Sequence, residues 1–413
     1  MNARRISLVL LAAAAGCLPP PKPTPVAVQP PPAPPPPPAF ELVLPQDWPV
    51  LADDLEPESL ERAADKSLAY LAGSEDKLWS LGPAQVGTRA LVETLEALVA
   101  ARKESPDAAT LTARLKADFD LWRVRGSTTG GGAFYSSYYQ PTLAASRKKT
   151  EEYRFPLYKR PADLVEVELS TFDPKWKSDR LYGRVDKSGA FVPYFSRRDI
   201  DVRGELGGKD LELVWLKDSF DRLNIHIQGS GLLKFPDGTM AMARFAGTNG
   251  RPYNSVGLSV IGSGAMTREA LNSATLKQYL IDHPEGEAWI VSRNPRYTFF
   301  EMVDLPEDGE PNGTIGQALT AGRSIAIDVS AVPLGAACYV AVTLPQADFE
   351  GRLLGRSPVR RLMLAQDTGG AIKGPGRVDF YMGHGPEAAT LAHRVWDAGE
   401  LYVLLKKTPP RTR

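Results

Sequence analysis

Two aspartates in the C-terminal third of the chain flank a glycine-rich connection, and their spacing allows acid–base chemistry. Asp367 begins the connection, which ends at Gly374, and Asp379 follows five residues later. Glycines let a backbone approach a ligand closely and bring two flanking strands together. The apolar neighbours Val378 and Phe380 should desolvate the carboxyl group of Asp379, which raises its pKa and keeps it protonated. A protonated carboxyl group is what a general acid requires.

This segment resembles the three-aspartate (3D) module of the membrane-bound lytic murein transglycosylase A (MltA) family. The matching stretches are Asp-Thr-Gly-Gly-Ala-Ile-Lys-Gly from Asp367 and Asp-Phe-Tyr from Asp379, and the first aspartate of the module corresponds to Asp328. The resemblance implies that Asp379 is the catalytic acid and base and that Asp367 and Asp328 are supporting carboxylates. A different interpretation stays open, in which these aspartates hydrogen-bond the backbone of barrel turns and loops.

The resemblance extends upstream and covers about residues 134 to 405. Ile-Gln-Gly-Ser-Gly from Ile227 is similar to the same motif of the family, and Tyr138-Tyr139-Gln140-Pro141 resembles its Gly-Tyr-Tyr-Thr-Pro. The substrate-binding residues implied by these motifs are Gln228, Gly229, Ser230, Tyr138, Tyr139, Gly369, Gly370 and Lys373. Aromatic rings suit the apolar faces of sugars, although at least one of the two tyrosines is expected in the core. Gln228 and Ser230 have the alternative of closing a turn.

The family resemblance implies a mainly β fold with N-terminal helices, in which a double-psi β-barrel is interrupted by a second, smaller β-domain. We expect helices and the first part of the barrel over residues 40–150, the inserted domain over 151–297, the second part over 298–407 and a tail over 408–413. The implied function is a lytic transglycosylase that cleaves the β-1,4 bond between N-acetylmuramic acid and N-acetylglucosamine in peptidoglycan and forms 1,6-anhydromuramic ends with a single aspartate.

Two alternatives to an enzyme stay open at this point. One is a peptidoglycan-binding envelope lipoprotein without turnover, and the other is a structural barrel in an envelope complex. Retention of all three aspartates argues against the first. The second leaves the acidic cluster and Gln228 to Ser230 without a role.

Hydrophobic periodicity predicts the elements that position these residues. Three helical patterns lie between Glu58 and Trp122, the clearest with Leu91 and Leu95 on one face, and the last runs from Leu111 to Trp122. Alternation of apolar and polar residues from Leu223 to Gln228 predicts a strand. A helix is predicted near Ala274 to His283, capped by Ser273 and stopped by Pro284.

The C-terminal third reads as a series of short strands, typical of a β-barrel. The predicted strands are 324–329, 339–344, 361–367, 378–381 and 401–405.

The N-terminus predicts export and a lipid anchor. Arg4 and Arg5 precede a short apolar run that ends in Ala-Ala-Gly-Cys at Cys17, which resembles the lipobox of bacterial lipoproteins although Ala14 stands where leucine is usual. A plain cleaved signal with an incidental cysteine is the alternative. Residues 17–39 are dominated by proline and predict an extended tether. We therefore expect a periplasmic protein anchored by Cys17, with Leu18 favouring the outer membrane.

Composition excludes several classes of function. The 49 Lys and Arg residues balance the 49 Asp and Glu residues, so no global positive field would gather nucleic acid. Cys17 and Cys338 are the only cysteines, and the four histidines show no metal-ligand spacing. We expect no metal, no cofactor and no nucleic acid as a partner. Protein partners, oligomeric state and endo or exo action are left open.

Overall fold

The computed structural model describes residues 39–408 except 82–83, 127, 129–130, 177–179, 269, 307–308 and 393. The predicted signal segment, Cys17 and nearly all of the tether, up to residue 38, lie outside the described residues. None of the helices in the described part is long and apolar enough to cross a membrane.

The helices of the described part are α1 Pro57–Ala72, α2 Thr88–Lys103, α3 Ala108–Asp118, α4 Arg197–Asp201, α5 Ser219–Gln228, α6 Val256–Gly262, α7 Ser273–Asp282, α8 Glu287–Val291 and α9 Gly385–Ala392. The strands are β1 Phe40–Leu42, β2 Leu78–Leu81, β3 Ala84–Gly87, β4 Phe119–Val124, β5 Ala133–Gln140, β6 Thr142–Ser146, β7 Phe155–Tyr158, β8 Val165–Glu168, β9 Arg180–Val185, β10 Phe191–Pro193, β11 Glu212–Leu216, β12 Ser230–Lys234, β13 Met240–Thr248, β14 Thr298–Val303, β15 Ser324–Ala326, β16 Ala337–Ala347, β17 Leu353–Asp367, β18 Arg377–His384 and β19 Asp397–Lys406.

Six strands close into a barrel. Their order is β19-β16-β17-β15-β18-β5, and β5 pairs again with β19, while β4 and then β1 extend the sheet outward from β19. β5 precedes the second sheet in sequence, and the other five strands follow it. The chain therefore leaves the barrel after β5 and returns to complete it, as expected for a barrel interrupted by an insertion.

The barrel and the N-terminal helices share one apolar core. Leu91, Leu95 and Leu98 of α2 are buried in the same cluster as Tyr339 and Leu362 of the barrel strands. Burying one apolar face of an amphipathic helix against a sheet is the usual source of helix stability in a folded protein.

A second sheet is built from the inserted chain. Its strand order is β14-β13-β12-β6-β11-β7, and a separate three-stranded sheet has the order β10-β9-β8. β6 begins at Thr142 and β14 ends at Val303, so this sheet spans a slightly wider range than 151–297. Leu233, Ala243 and Phe300 belong to its own apolar cluster.

The predicted strand from Leu223 to Gln228 is wrong, because these residues form most of helix α5. Asp218 accepts a hydrogen bond from the backbone N–H of Asp221 at the N-cap, and Gly229 ends the helix with φ 85°. These two caps are standard helix boundaries. Asn224 and His226 are buried with Leu223 and Ile225, whereas Ile227 is exposed. The polar face expected of the strand is therefore absent, because burial in this helix does not follow the polarity of the side chains.

Three smaller differences concern element ends. Helix α3 stops at Asp118, and residues 119–124 form β4, because Phe119 to Val124 pair with β19 and complete the sheet. The N-cap of α7 is Asn272, which accepts hydrogen bonds from Ala274 and Thr275, and Ser273 is the first helical residue. The strand predicted over 324–329 ends at Ala326, so Asp328 lies in a loop.

Candidate active site

Asp379 lies on β18 between two neighbouring strands. It is in register with Ala326 of β15 on one side and with Ser136 of β5 on the other. The hydroxyl group of Ser136 donates a hydrogen bond to Asp379 Oδ1, and Arg377 Nη2 donates to the same Ser136 Oγ at 2.7 Å. The carboxyl group of Asp379 is therefore held by two successive hydrogen bonds, which start at the guanidinium group of Arg377 and pass through the hydroxyl group of Ser136.

The electrostatic surroundings keep Asp379 protonated into the mildly acidic range. Burial raises its pKa to about 6, with a further contribution from the negative charge of Asp367, while the Ser136 hydroxyl and the Arg377 charge act in the opposite direction. A carboxylic acid near this pKa can both give and take a proton close to neutral pH. The apolar neighbourhood expected from the sequence is present, since Val378 and Phe380 are fully buried.

Asp367 lies at the end of β17 and accepts three hydrogen bonds. Tyr138 Oη donates to Asp367 Oδ2 at 2.8 Å, and the N–H and hydroxyl groups of Thr314 each donate to Oδ1 at 2.9 Å. Burial raises the pKa of Asp367, against these hydrogen bonds. Because Asp367 also raises the pKa of Asp379, the two carboxyl groups share one electrostatic environment.

Asp328 has a different environment. Its Oδ2 accepts the N–H of Gly374 at 2.6 Å, and its Oδ1 accepts the N–H and hydroxyl groups of Ser330 at 3.0 and 2.7 Å. Burial opposes ionisation, but these hydrogen bonds and the charge of Lys373 lower the pKa of Asp328. The carboxylate ties the loop after β15 to the end of the glycine-rich connection, which matches the turn-binding interpretation.

The glycine-rich connection approaches the chain that leads into β14. A Cβ atom added to Gly370 would lie 2.7 Å from Arg296 Nη2, so a larger side chain would displace that guanidinium group. A Cβ atom added to Gly369 would lie 2.6 Å from the side chain of Ile372. Lys373 is exposed beside them. A larger residue at either glycine would therefore have to shift a neighbouring side chain at the edge of the site.

Gln228 joins the inserted chain to the barrel strand that carries the site. Its Oε1 accepts the backbone N–H of Tyr139 at 3.0 Å, and its Nε2 donates to Asn224 Oδ1 at 3.3 Å. Gly229 supplies the left-handed end of α5, and Ser230 begins β12. All three residues stay partly exposed.

The two tyrosines of the Tyr-Tyr-Gln-Pro motif have different positions. Tyr138 points to the carboxyl groups, and its ring lies 5.1 Å from that of Tyr381. Tyr139 is only 9% exposed, packs with Ala388 and Ala392, and accepts a hydrogen bond from Asn224 at 2.8 Å. The proposed stacking of Tyr139 on a sugar ring is therefore corrected, because its ring belongs to the core.

Sequence reasoning missed four residues of the site, namely Ser136, Thr314, Arg377 and Arg296. Ser136 and Arg377 had a detectable signal, since successive side chains of a strand alternate between its two faces. This alternation places Ser136 on the face of Tyr138 and Arg377 on the face of Asp379. Thr314 and Arg296 had none, because both belong to connections that only the tertiary fold brings to Asp367 and Gly370.

Metal and thiol chemistry receive no support from the described residues. Within residues 39–408 apart from the gaps, no group of three or more His, Cys, Asp or Glu side chains is arranged to hold a metal ion. Cys338 is fully buried, and burial raises the pKa of its thiol to about 12. It is the small buried hydrophobic residue expected from its apolar surroundings.

Two family models match consecutive parts of the chain. The MltA specific insert domain matches residues 134–301, and the 3D domain matches residues 323–405. Together they cover nearly all of the second sheet and most of the barrel, including all three aspartates.

Characterised relatives and solved structures give the same result. Membrane-bound lytic murein transglycosylase A of Escherichia coli K12 is 30% identical over 294 residues, which are 70% of this chain and 70% of that protein. The crystal structure of a membrane-bound lytic murein transglycosylase from Agrobacterium tumefaciens superposes with a TM-score of 0.69 at 27% identity, covering 89% of this chain and 98% of that one. The structure of E. coli MltA with bound chitohexaose shares the fold, with a TM-score of 0.68 at 23% identity over 90% of this chain and 95% of that one.

Proposed function

Because the chain belongs to the MltA family of lytic murein transglycosylases, we propose that it cleaves the β-1,4 bond between N-acetylmuramic acid and N-acetylglucosamine in peptidoglycan and leaves 1,6-anhydromuramic ends. The observation that carries this proposal is the state of Asp379, which combines a pKa of about 6 with a fixed hydrogen bond from Ser136. One protonated carboxyl group in a positioned geometry can serve as both the acid and the base of this reaction.

Asp379 acts first as an acid and then as a base. Its proton passes to the glycosidic oxygen as the bond to C1 of N-acetylmuramic acid breaks, and positive charge develops at C1 and the ring oxygen. The C6 hydroxyl of the same sugar attacks C1, and its proton passes to the Asp379 carboxylate. The 1,6-anhydro ring forms, the enzyme recovers its proton, and no water is consumed.

The remaining site residues stabilise charge and hold the sugar. Ionised Asp367 would stabilise the developing positive charge, and its hydrogen bonds from Tyr138 and Thr314 fix its orientation in advance. Gln228, Gly229 and Ser230 lie where α5 meets the barrel strand β5 and are proposed to bind the N-acetyl and hydroxyl groups of the glycan, together with Gly369, Gly370 and Lys373. Holding C6 close to C1 is an orientation effect.

The experiment is digestion of purified peptidoglycan sacculi by the protein lacking residues 1–39, followed by mass spectrometry of the released material. Anhydro-muropeptides should appear with the wild-type protein and vanish with Asp379→Asn. Reducing-end products would mean hydrolysis instead. If the wild type released no material, the alternative of a peptidoglycan-binding protein without turnover would be supported instead.

The finer architecture is part of the same proposal. The barrel contains two parallel pairs, β5 with β18 and β15 with β17, among antiparallel neighbours. This mixture supports double-psi connectivity, in which the site lies between the barrel and the domain inserted at 151–297. The parts over 40–150 and 298–407 then complete one barrel domain.

Anchoring to the outer membrane through a lipid on Cys17 completes the proposal and rests on the N-terminal sequence alone. The full-length protein should partition into detergent and incorporate labelled fatty acid, and Cys17→Ser should do neither. If the wild-type protein stayed in the aqueous phase without label, the lipid anchor would be wrong and the alternative of a plain cleaved signal peptide would be supported.

A further inference from the structure

The parallel pair of β5 and β18 forms a ladder of three side-chain pairs on one face. The pairs are Phe134 with Arg377, Ser136 with Asp379, and Tyr138 with Tyr381. Successive same-face residues on a strand are about 6.6 Å apart. Asp379 therefore lies at the middle step, with Tyr138 on one side along the strand and Phe134 on the other.

The Phe134 end of this ladder carries an exposed tryptophan. The ring of Trp396 meets that of Phe134 edge to face, with centroids 4.7 Å apart and an interplanar angle of 82°, and Trp396 is 64% exposed. The guanidinium carbon of Arg377 lies 5.1 Å from the centre of the Phe134 ring. Phe134 is thus packed between two side chains, and the free aromatic surface belongs to Trp396.

The position of Trp396 is set by its neighbours in the fold. Asp397 pairs with Tyr135 of β5, accepts the backbone N–H of Trp396 at 3.1 Å, and forms an ion pair with Arg356. The backbone at Trp396 is thus fixed by Asp397 while most of its side chain stays exposed, so the ring is available for a contact. The exposed ring continues the face that carries the catalytic carboxyl group.

We infer that Trp396, supported by Phe134, is a stacking platform for a pyranose ring of the glycan strand, on the side of Asp379 opposite to Tyr138. This rests on the proposed function, and it adds a binding position beyond the acid and its immediate neighbours. The apolar face of an N-acetylhexosamine fits an aromatic ring, and a glycan lying along the ladder brings successive sugars to Tyr138, Asp379 and Trp396.

The test is calorimetric titration with chitohexaose, a β-1,4-linked N-acetylglucosamine oligomer, in an Asp379→Asn parent that cannot turn over. Adding Trp396→Ala to this parent should raise the Kd by about tenfold, and adding Trp396→Phe should recover most of the loss. Trp289→Ala is the matched control, since Trp289 is 52% exposed on α8 and is covered by Arg293 instead. The control should bind as the parent does.

An equal Kd for the parent and the Trp396→Ala protein, with both giving the same melting curve, would overturn the platform while leaving the proposed function intact. A parent that binds no chitohexaose would also contradict the platform. Sacculus digestion by the wild type then decides whether the proposed function falls with it.

Discussion

Ser136 and Asp379 face each other across a parallel strand pair, and the serine hydroxyl donates directly to the carboxyl group. The two residues are 243 positions apart in the chain. Their register is set by β5 and β18, which lie on either side of the inserted sheet in sequence. The proposed acid is therefore positioned by backbone pairing, which is a more rigid support than a loop.

The activity should fall as pH rises through about 6. Burial raises the pKa of Asp379 to about 6, and the first step requires its proton, so kcat/KM should lose about tenfold for each pH unit above this value. The measurement is the rate of anhydro-muropeptide release from soluble glycan fragments between pH 4.5 and 8. A profile that stays level from pH 5 to 8 would rule out Asp379 as the acid.

The same shift in pKa has a consequence for stability. The folded protein holds the Asp379 proton more tightly than the unfolded chain does. The contribution of this proton to the free energy of unfolding is therefore fully present below pH 3.8 and is lost as pH rises through about 6. The loss amounts to about 3 kcal/mol. Above pH 6, Asp379→Asn should therefore be more stable than the wild type, and at pH 4 the two should be similar. Urea denaturation at both pH values measures the difference.

Arg377 should set the upper end of the pH profile. Its positive charge lowers the pKa of Asp379, and its Nη2 holds the Ser136 hydroxyl at 2.7 Å. Replacing Arg377 by Gln removes the charge, so the alkaline limb should move up by roughly one pH unit. Arg377→Lys, which retains the charge, is the control and should leave the limb near its wild-type position. If the alkaline limb of Arg377→Gln stayed at its wild-type position, Arg377 would have no influence on the pKa of the catalytic acid.

Tyr138 should act through Asp367. Removing its hydroxyl in Tyr138→Phe deletes the 2.8 Å hydrogen bond to Oδ2 and keeps the ring against Tyr381. A hydrogen bond to a charged group contributes about 1.5–3 kcal/mol, so kcat should fall by tenfold or more while the affinity for chitohexaose changes little. A loss confined to affinity would instead assign Tyr138 to sugar binding alone.

The sequence predicted the strands of the barrel better than it predicted the elements of the inserted chain. The strands around Tyr339, Leu362 and Leu401 are short, nearly continuous apolar runs, because both of their faces are buried in a single core. Helix α5 was misread as a strand, because the alternation of apolar and polar residues does not match their burial. Asn224 and His226 are buried, whereas Ile227 is exposed.

The residues of the site also fall into a group that the sequence predicted and a group that it did not. Asp367, Asp379 and Tyr138 come together as the motifs imply. Thr314 and Arg296 reach Asp367 and Gly370 from irregular connections, and contacts of that kind depend on the path of the whole chain. Local sequence patterns do not contain this information.

Asp328 should support the fold rather than the chemistry. Its carboxylate accepts three hydrogen bonds from Gly374 and Ser330, and an amide in its place offers only one accepting oxygen, so Asp328→Asn should destabilise the protein by about 1–3 kcal/mol at pH 7. The pKa of Asp328 is lowered in the folded state, which means that its contribution is present above the unfolded pKa and is lost as pH falls through the folded one. The difference in stability between the wild type and Asp328→Asn should therefore narrow below pH 4.

Thermal melts at pH 7 and pH 3.5 measure this difference. The control is Ser330→Ala, which removes one of the three donors and should lose less stability than Asp328→Asn. A variant with the wild-type melting temperature but no anhydro-muropeptide release would show that Asp328 takes part in the reaction.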